Sequence, residues 1–355
     1  MRVVCLPVSG GAFVSQLAAV SRLCEVNFVP DVCYSSSGGN VTAYVAAIAD
    51  WKWAKTEMIA SELHSGMLIA TWSSVGFISP VIGYFKGDLF SHGNGVLTLF
   101  KKYHSEQVLS KYEIWTGTYN PKRQRARFFC NLASSQAKFK MEVDSRRSPV
   151  MEPGYMDGDL EFISRSCLAS ASVPTVVPGQ TIEGEEYVDG GVASASPLTY
   201  AVRTIRKTVG DQPLHLWYIN CDNLDSMNKN GIGYNLLDNL SKTAADLMRM
   251  QAVNDRDLCH LLLEQVSGVS DLKYKSGQLT SSSVKVLTGL LENIKYAMVE
   301  VYPETQVSIN MVKFDGGDVK NAISRAQGFL HYRLWYAAPE NTTVAGIIDR
   351  ELSSM

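Results

Sequence analysis

The residues with the clearest chemical potential are three consecutive serines, Ser35, Ser36 and Ser37, followed by Gly38 and Gly39. They come after an apolar run and before small residues with helical periodicity, so we expect them at a sharp turn between a strand and a helix. A serine in such a turn is open to a base and lies near backbone N–H groups that can stabilise an oxyanion. The pattern indicates a nucleophile. A serine- and glycine-rich loop that caps the helix is the alternative interpretation.

A candidate base for this serine is Asp189, which follows a strand-like segment and precedes Gly190 and Gly191. Glycines at a tight turn let the backbone approach another loop closely. A buried aspartate whose basicity is raised by its surroundings can take the proton of a serine directly. A structural Asp-Gly turn is the alternative. None of the six histidines has a comparable setting, and each is predicted to be a surface or partly buried residue.

The elements that must position these residues begin with a β-turn-α-β unit. Strands are predicted at residues 3–8 and around 29–34, with an amphipathic helix between them. Parallel neighbours place their carboxyl ends at one edge of a sheet, where open α/β sheets carry their sites. The turn Ser9-Gly10-Gly11-Ala12 after the first strand is therefore expected beside the serine turn after the second.

The remaining pattern predicts a series of strands and helices. They are a hairpin of strands 112–119 and 126–132, a helix over 158–172, a strand over 214–219, helices over 236–266 and 282–300, a strand over 306–314 and a last helix over 319–335. The long segment 267–281 is predicted to be a loop.

Composition indicates a folded globular protein. Of 355 residues, 46% are hydrophobic and 19% charged, with a formal net charge of -2, which excludes disorder and a nucleic-acid footprint over the whole protein. Seven cysteines without CxxC pairs favour reduced, buried thiols over a disulfide or zinc framework. We expect a cytoplasmic protein, with a peripheral location at membranes as the alternative, and without signal peptide or transmembrane helix. One domain is predicted over residues 1–355, with the motifs in about 1–200 and further strands and helices of the same domain in about 201–355.

Two segments each have two interpretations. Residues 67–85, with Trp72, Phe77, Tyr84 and Phe85, could line an acyl channel or touch a lipid surface, or they could be core. The basic residues of the predicted hairpin could touch anionic lipid, although a solvated tip is favoured; they are Lys122, Arg123, Arg125 and Arg127.

The order of the motifs resembles the patatin-like phospholipases. Ser9-Gly10-Gly11-Ala12, a Ser-x-Gly turn, Ala171-Ser172-Val173-Pro174 and Val188-Asp189-Gly190-Gly191 follow one another along the chain as in that family. The resemblance implies an α/β fold, a three-layer α/β/α sandwich with a mainly parallel central sheet. It also implies a Ser–Asp dyad that hydrolyses fatty-acyl esters of lipids.

The family's Gly-x-Ser-x-Gly-Gly turn can be placed on this chain in two registers. The preferred one puts Tyr34 at the first glycine and makes Ser36 the nucleophile, with Gly38 and Gly39 as the supporting glycines. The other, Ser35-x-Ser37-x-Gly39, makes Ser37 the alternative nucleophile.

The resemblance makes Asp189 the base, supported by Gly190 and Gly191. It assigns the oxyanion hole to the N–H groups of Gly10, Gly11 and Ala12. In that loop the chain departs from the family, because Ser9 replaces the first glycine, Phe13 the basic residue and Val14 the last glycine.

The resulting prediction is a phospholipase A-like lipid acyl hydrolase without cofactor or metal. Its expected partners are a phospholipid or other acyl-ester lipid and, transiently, a membrane surface, but no nucleic acid. A catalytically silent lipid-binding or interaction protein and an acyltransferase are the alternatives. An α/β-hydrolase with a Ser–His–Asp triad is less favoured, because its nucleophile usually follows more than two strands.

Overall fold

A computed structural model describes most of the chain. The described residues are 1–70, 91–92, 95–103, 105–139, 151–174, 177–193, 196–198, 200–202, 204, 212–225, 236–310, 313–338, 346 and 350.

The described strands and helices are numbered here in chain order. The strands are β1 (Arg2–Leu6), β2 (Val32–Ser36), β3 (Ile69–Ala70), β4 (Ser91–His92), β5 (Glu113–Asn120), β6 (Arg125–Cys130), β7 (Met151–Tyr155), β8 (Gln180–Ile182), β9 (Glu185–Asp189), β10 (Leu214–Ile219), β11 (Lys273–Gln278), β12 (Tyr296–Pro303) and β13 (Leu330–Tyr336). The α-helices are α1 (Phe13–Glu25), α2 (Gly38–Ile48), α3 (Trp53–Ala60), α4 (Ser65–Leu68), α5 (Gly95–Lys102), α6 (Ser105–Leu109), α7 (Leu160–Ser170), α8 (Leu236–Ser267), α9 (Ser281–Leu291) and α10 (Gly316–Gln327).

Eleven of these strands form one sheet, in the order β11-β13-β12-β10-β1-β2-β5-β6-β7, with β9 paired to β5 and β8 to β9. The five central strands β12, β10, β1, β2 and β5 run parallel. Antiparallel pairs flank them on both sides. The carboxyl ends of the parallel strands consequently meet at one edge, where loops from distant parts of the chain come together.

Apolar side chains cover both faces of the sheet and divide the core into two layers. In β1, Val4 and Leu6 face one layer, whereas Val3 and Cys5 face the other. Helices α1, α2, α9 and α10 contribute to the first layer, and α8 contributes Cys259 and Leu263 to the second. This alternation is the normal consequence of strand geometry, and it makes a three-layer α/β/α sandwich with a mainly parallel centre, as predicted.

The two parts of the chain share the sheet, because β10, from the second part, pairs directly with β1. Assignment of all 355 residues to one domain stays a prediction. Within the described part of the chain, no helix combines the length and the apolarity needed to cross a bilayer.

Most predicted elements occur near their expected positions, but the last third of the chain differs. The helix predicted over 282–300 is α9 followed by β12, and the helix predicted over 319–335 is α10 followed by β13. Residues 306–310, predicted as strand, have no regular structure, and the predicted loop 267–281 contains β11. Strand β12 is buried along its whole length, so its apolar run lacks the alternation that would distinguish it from a buried helix.

Candidate active site

A one-residue turn joins β2 to α2. The strand ends at Ser36 and the helix begins at Gly38, so Ser37 alone makes the connection, with φ 52° and ψ −129°. A non-glycine residue with positive φ is uncommon and costs free energy, which the surrounding structure must supply. The turn, residues 35–39, is called the elbow below, since a strained strand-to-helix turn of this kind presents a nucleophilic serine.

Two glycines allow the elbow to pack against the loop after β1. A Cβ atom on Gly38 would lie 2.5 Å from Ser9 Oγ and 2.8 Å from the carbonyl oxygen of Gly10. A Cβ atom on Gly39 would lie 2.5 Å from the carbonyl oxygen of Leu6. Side chains at these two positions would therefore push the two loops apart.

The hydroxyl of Ser37 donates a 2.7 Å hydrogen bond to Oδ2 of Asp189. Asp189 is the last residue of β9, and its N–H donates to the carbonyl oxygen of Ser172 at 2.9 Å. Its Oδ1 accepts the N–H of Gly191 at 2.7 Å, which fixes the carboxylate plane. Both Ser37 and Asp189 are only 4% exposed.

Burial raises the pKa of Asp189 to about 6, because removal from water disfavours the charged carboxylate. Hydrogen bonds from the Ser37 hydroxyl and the Gly191 N–H act in the opposite direction. The carboxylate is therefore a stronger base than an exposed aspartate and is still mostly ionised at neutral pH.

Ser36, the preferred nucleophile from the sequence, is not the serine that meets Asp189. Its side chain is fully buried at the end of β2, and no hydrogen-bond partner of its Oγ occurs among the described residues. Ser35 is also turned away, because its hydroxyl donates to Asn40 Oδ1 in α2 at 2.9 Å. The serine that contacts Asp189 is therefore Ser37, the candidate of the alternative register Ser35-x-Ser37-x-Gly39, and not Ser36.

That register removes Tyr34 from the elbow. Tyr34 lies within β2, and its ring stacks with Trp115 at 6.4 Å and meets Tyr200 edge-on at 5.4 Å. Its bulk therefore fills the core layer on that face and does not crowd the turn.

The predicted oxyanion loop is a 3₁₀ helix over Gly10–Ala12, between β1 and α1. The N–H of Ala12 donates to the carbonyl oxygen of Ser9 at 2.9 Å, so the prediction of Ala12 as an oxyanion donor does not fit the structure. Gly10 and Gly11 belong to the first turn, whose N–H groups have no acceptor within the helix. Gly10 has φ +49°, a conformation that favours glycine.

The departures from the family at residues 13 and 14 serve the core. Phe13 and Val14 are both fully buried, and the Phe13 ring lies 6.3 Å from that of Phe314. The loop therefore ends in apolar anchors for α1.

The other candidate groups lie elsewhere or outside the described residues. His215 Nε2 lies 2.7 Å from the carbonyl oxygen of Ile294, and the His260 ring packs at a tilt against Trp335 with ring centroids 4.4 Å apart. Among the residues that the structure describes, no histidine forms a hydrogen bond or ion pair with Ser37 or Asp189. Several candidates lie outside the described part of the chain: Trp72, Phe77, Tyr84, Phe85, His104 and the side chain of His92.

The hairpin arginines pair with acidic residues. Arg123 contacts Glu185 at 2.6 Å, Arg125 pairs with Glu152, and Arg127 contacts Glu183 at 2.8 Å. Their charges are largely compensated, which favours the solvated-tip interpretation. In the part of the chain that the structure describes, no cluster of three acidic, histidine or cysteine side chains could hold a metal ion.

Sequence reasoning missed Ser170, the last residue of α7. Its Oγ accepts the N–H of Ser37 at 2.9 Å and donates to the carbonyl oxygen of Gly117 at 2.7 Å. The available signal was its position immediately before the Ala171-Ser172-Val173-Pro174 motif.

A family model described as Patatin-like phospholipase matches residues 8–202, more than half of the chain. No curated protein matches. Among solved structures, the chain is similar to "Crystal structure of VipD from Legionella pneumophila", with 12% identity, 93% of this chain and 67% of that chain covered, and a TM-score of 0.30.

Proposed function

Because the chain belongs to the patatin-like phospholipase family, we propose that it is a lipid acyl hydrolase with Ser37 as nucleophile and Asp189 as base. The family acts on lipids, so the substrate class is a fatty-acyl ester of a lipid. The single observation that supports these roles is the 2.7 Å hydrogen bond from a serine held in a strained elbow to a buried aspartate.

In the first step, the Ser37 proton moves to Asp189 Oδ2 while the Oγ electron pair forms a bond to the ester carbonyl carbon. The carbonyl oxygen becomes an oxyanion, and the N–H groups of Gly10 and Gly11 are the proposed donors to it. When the carbonyl reforms, the bond to the lipid alcohol breaks and the alcohol oxygen takes the proton from Asp189. An acyl-Ser37 intermediate remains.

In the second step, water attacks the acyl carbon. Asp189 accepts one proton of the water and returns it to Ser37 Oγ as the acyl–serine bond breaks. A fatty acid leaves and the dyad is restored. The pKa of Asp189 suits both directions of this transfer, because a base near neutrality gives and receives protons with little cost.

The lipid surface is proposed to meet the site at Val173 and Val192. Val173 follows Ser172, whose carbonyl holds the Asp189 N–H, and Val192 lies three residues after Asp189. These side chains are 45% and 47% exposed. Exposed apolar groups beside a buried ester-cleaving site suit contact with the apolar part of a lipid aggregate.

Covalent labelling tests the proposal. A fluorophosphonate probe should label the wild type and Ser36→Ala, with the modified peptide carrying the mass on Ser37, whereas Ser37→Ala should not be labelled. Asp189→Asn should slow labelling by about 10²-fold or more, the scale of general base catalysis. Labelling of a folded Ser37→Ala protein, or none of the wild type, would reject the dyad.

A lipid panel then addresses the reaction. Released fatty acid from phospholipid, lysophospholipid or triacylglycerol vesicles indicates hydrolysis, and transfer of the acyl group to an added alcohol indicates an acyltransferase. Ser37→Ala is the matched control, since it removes the nucleophile by deleting one oxygen atom from a side chain that lies in the elbow.

A further inference from the structure

Ser170, the last residue of α7, and Ser172, two residues further on, each contact one member of the proposed dyad. Ser170 Oγ accepts the Ser37 N–H at 2.9 Å, and the Ser172 carbonyl accepts the Asp189 N–H at 2.9 Å. The nucleophile and the base are thus attached to the same short segment, although they are 152 residues apart in the chain.

The Ser170 hydroxyl is fully engaged and fully buried. Besides accepting from Ser37, it donates to the carbonyl oxygen of Gly117 in β5 at 2.7 Å, and the side chain is 0% exposed. Gly117 in turn touches the loop of the base, because a Cβ atom on Gly190 would collide with the Gly117 carbonyl. One hydroxyl therefore connects the elbow, β5 and, through Gly117, the turn after Asp189.

The bond to the Ser37 N–H has a further consequence. Ser37 has a positive φ of 52°, and the direction of its N–H bond depends on this strained backbone conformation. An acceptor at this N–H favours that conformation over a relaxed one, in which the Ser37 side chain would leave Asp189 Oδ2.

We propose that Ser170 is a positioning residue of the dyad: its hydroxyl holds the Ser37 backbone so that Ser37 Oγ reaches Asp189. This inference rests on the proposed function for its catalytic consequence, but the positioning itself does not need catalysis. Ser170 touches neither the ester nor the reacting oxygen, so its effect passes through Ser37.

The kinetic test compares Ser170→Ala with Ser166→Ala. Ser166 is a fully buried serine of the same helix, and its hydroxyl bonds to the Ile163 carbonyl at 2.8 Å, away from the elbow. For hydrolysis of a soluble short-chain ester, Ser170→Ala should lower kcat about 10- to 100-fold, the scale of a small misplacement of a reacting group, with KM within twofold. Ser166→Ala should leave kcat within twofold. Equal losses in both variants, or retained kcat in Ser170→Ala, would overturn the proposal.

A second measurement is independent of activity. The titration midpoint of the Asp189 carboxyl can be followed by NMR of protein with ¹³C-labelled aspartate, with Asp189→Asn assigning the signal. Because the Ser37 hydrogen bond lowers the Asp189 pKa, Ser37→Ala should raise the midpoint, and Ser170→Ala should raise it by at least half as much. An unchanged midpoint in Ser170→Ala would reject the positioning role.

The two readouts separate the possible failures. A wild type without hydrolysis or labelling rejects the proposed function, while the Asp189 midpoint still decides the role of Ser170. If Ser170→Ala yields no folded protein, Ser170→Cys replaces it, since a thiol keeps the shape but is a weak donor and acceptor. The same loss of kcat and the same rise in midpoint are expected for Ser170→Cys, and wild-type values would overturn the proposal.

Discussion

Ser37 and Asp189 meet on the same edge of β5, although 152 residues separate them in the chain. Strand β2 pairs with this edge up to Ser36 opposite Gly117, and β9 begins to pair at Asp189 opposite Thr118. Strand β6 pairs with the other edge of β5, so β9 pairs with β5 at Thr118 and Tyr119, beyond the point where β2 ends. Gly117 and Thr118, consecutive residues of β5, thus fix the distance between the proposed nucleophile and the proposed base.

The pH dependence of ester hydrolysis should follow the ionisation of Asp189. A base must be deprotonated, and the pKa of this carboxyl is raised to about 6 by burial. We expect kcat/KM for a neutral soluble ester to fall about tenfold per pH unit below pH 6 and to level above it. Replacement of His215 or His260 should leave the midpoint unchanged. A midpoint near 4 would contradict the assignment.

Burial of Asp189 should also make stability depend on pH. The folded-state pKa lies above the unfolded value, so the folded protein binds more protons between about pH 4 and 6, and stability falls as the pH rises through this window. The Asp189→Asn variant has no titrating carboxyl at this position, so its free energy of unfolding lacks this contribution to the pH dependence. The free energy of unfolding of the wild type minus that of Asp189→Asn should decrease by about 3 kcal/mol from pH 3.5 to pH 8. Urea unfolding at the two pH values measures it; a difference independent of pH would oppose the prediction.

Gly39 should be intolerant of a side chain, whereas Gly289 should accept one. In Gly39→Ala the new Cβ would press on the Leu6 carbonyl, so we expect a loss of about 1–3 kcal/mol in unfolding free energy and a large loss of labelling. Gly289 lies in α9, and its Cβ would meet nothing within 4 Å. Gly289→Ala should stabilise the protein by about 0.5–1 kcal/mol through helix propensity. Equal unfolding midpoints for the two variants would show that the elbow does not need its close contact.

Val173 and Val192 should matter for lipid aggregates but not for soluble esters. Val173→Ser with Val192→Ser should slow hydrolysis of vesicle lipids severalfold and leave the soluble short-chain ester within twofold. Val29→Ser is the matched control, because Val29 is 39% exposed but precedes β2, at the opposite edge of the sheet. The same loss in the control, or loss on both substrates, would argue against a lipid-contact role.

The amino-acid sequence was enough to predict the order of motifs and the first βαβ unit, because these depend on local turn chemistry and on apolar periodicity. The three-layer architecture was implied by the family resemblance that those motifs carry. The sequence did not distinguish β12 from a helix, since a strand buried on both faces has no alternation. Nor could it choose between Ser36 and Ser37, which differ by one residue in register.

Tertiary structure determines which of the two serines contacts Asp189, through the residue at which β2 ends. Pairing with β5 continues to Ser36 and commits that side chain to the interior, so the residue after it takes the positive φ and reaches Asp189. The contact from Ser170 to the Ser37 N–H spans 133 residues and likewise has no local signature. Residue types and spacing therefore supplied the candidates, and the long-range pairing of strands selected among them, because only that pairing fixes which way each hydroxyl points.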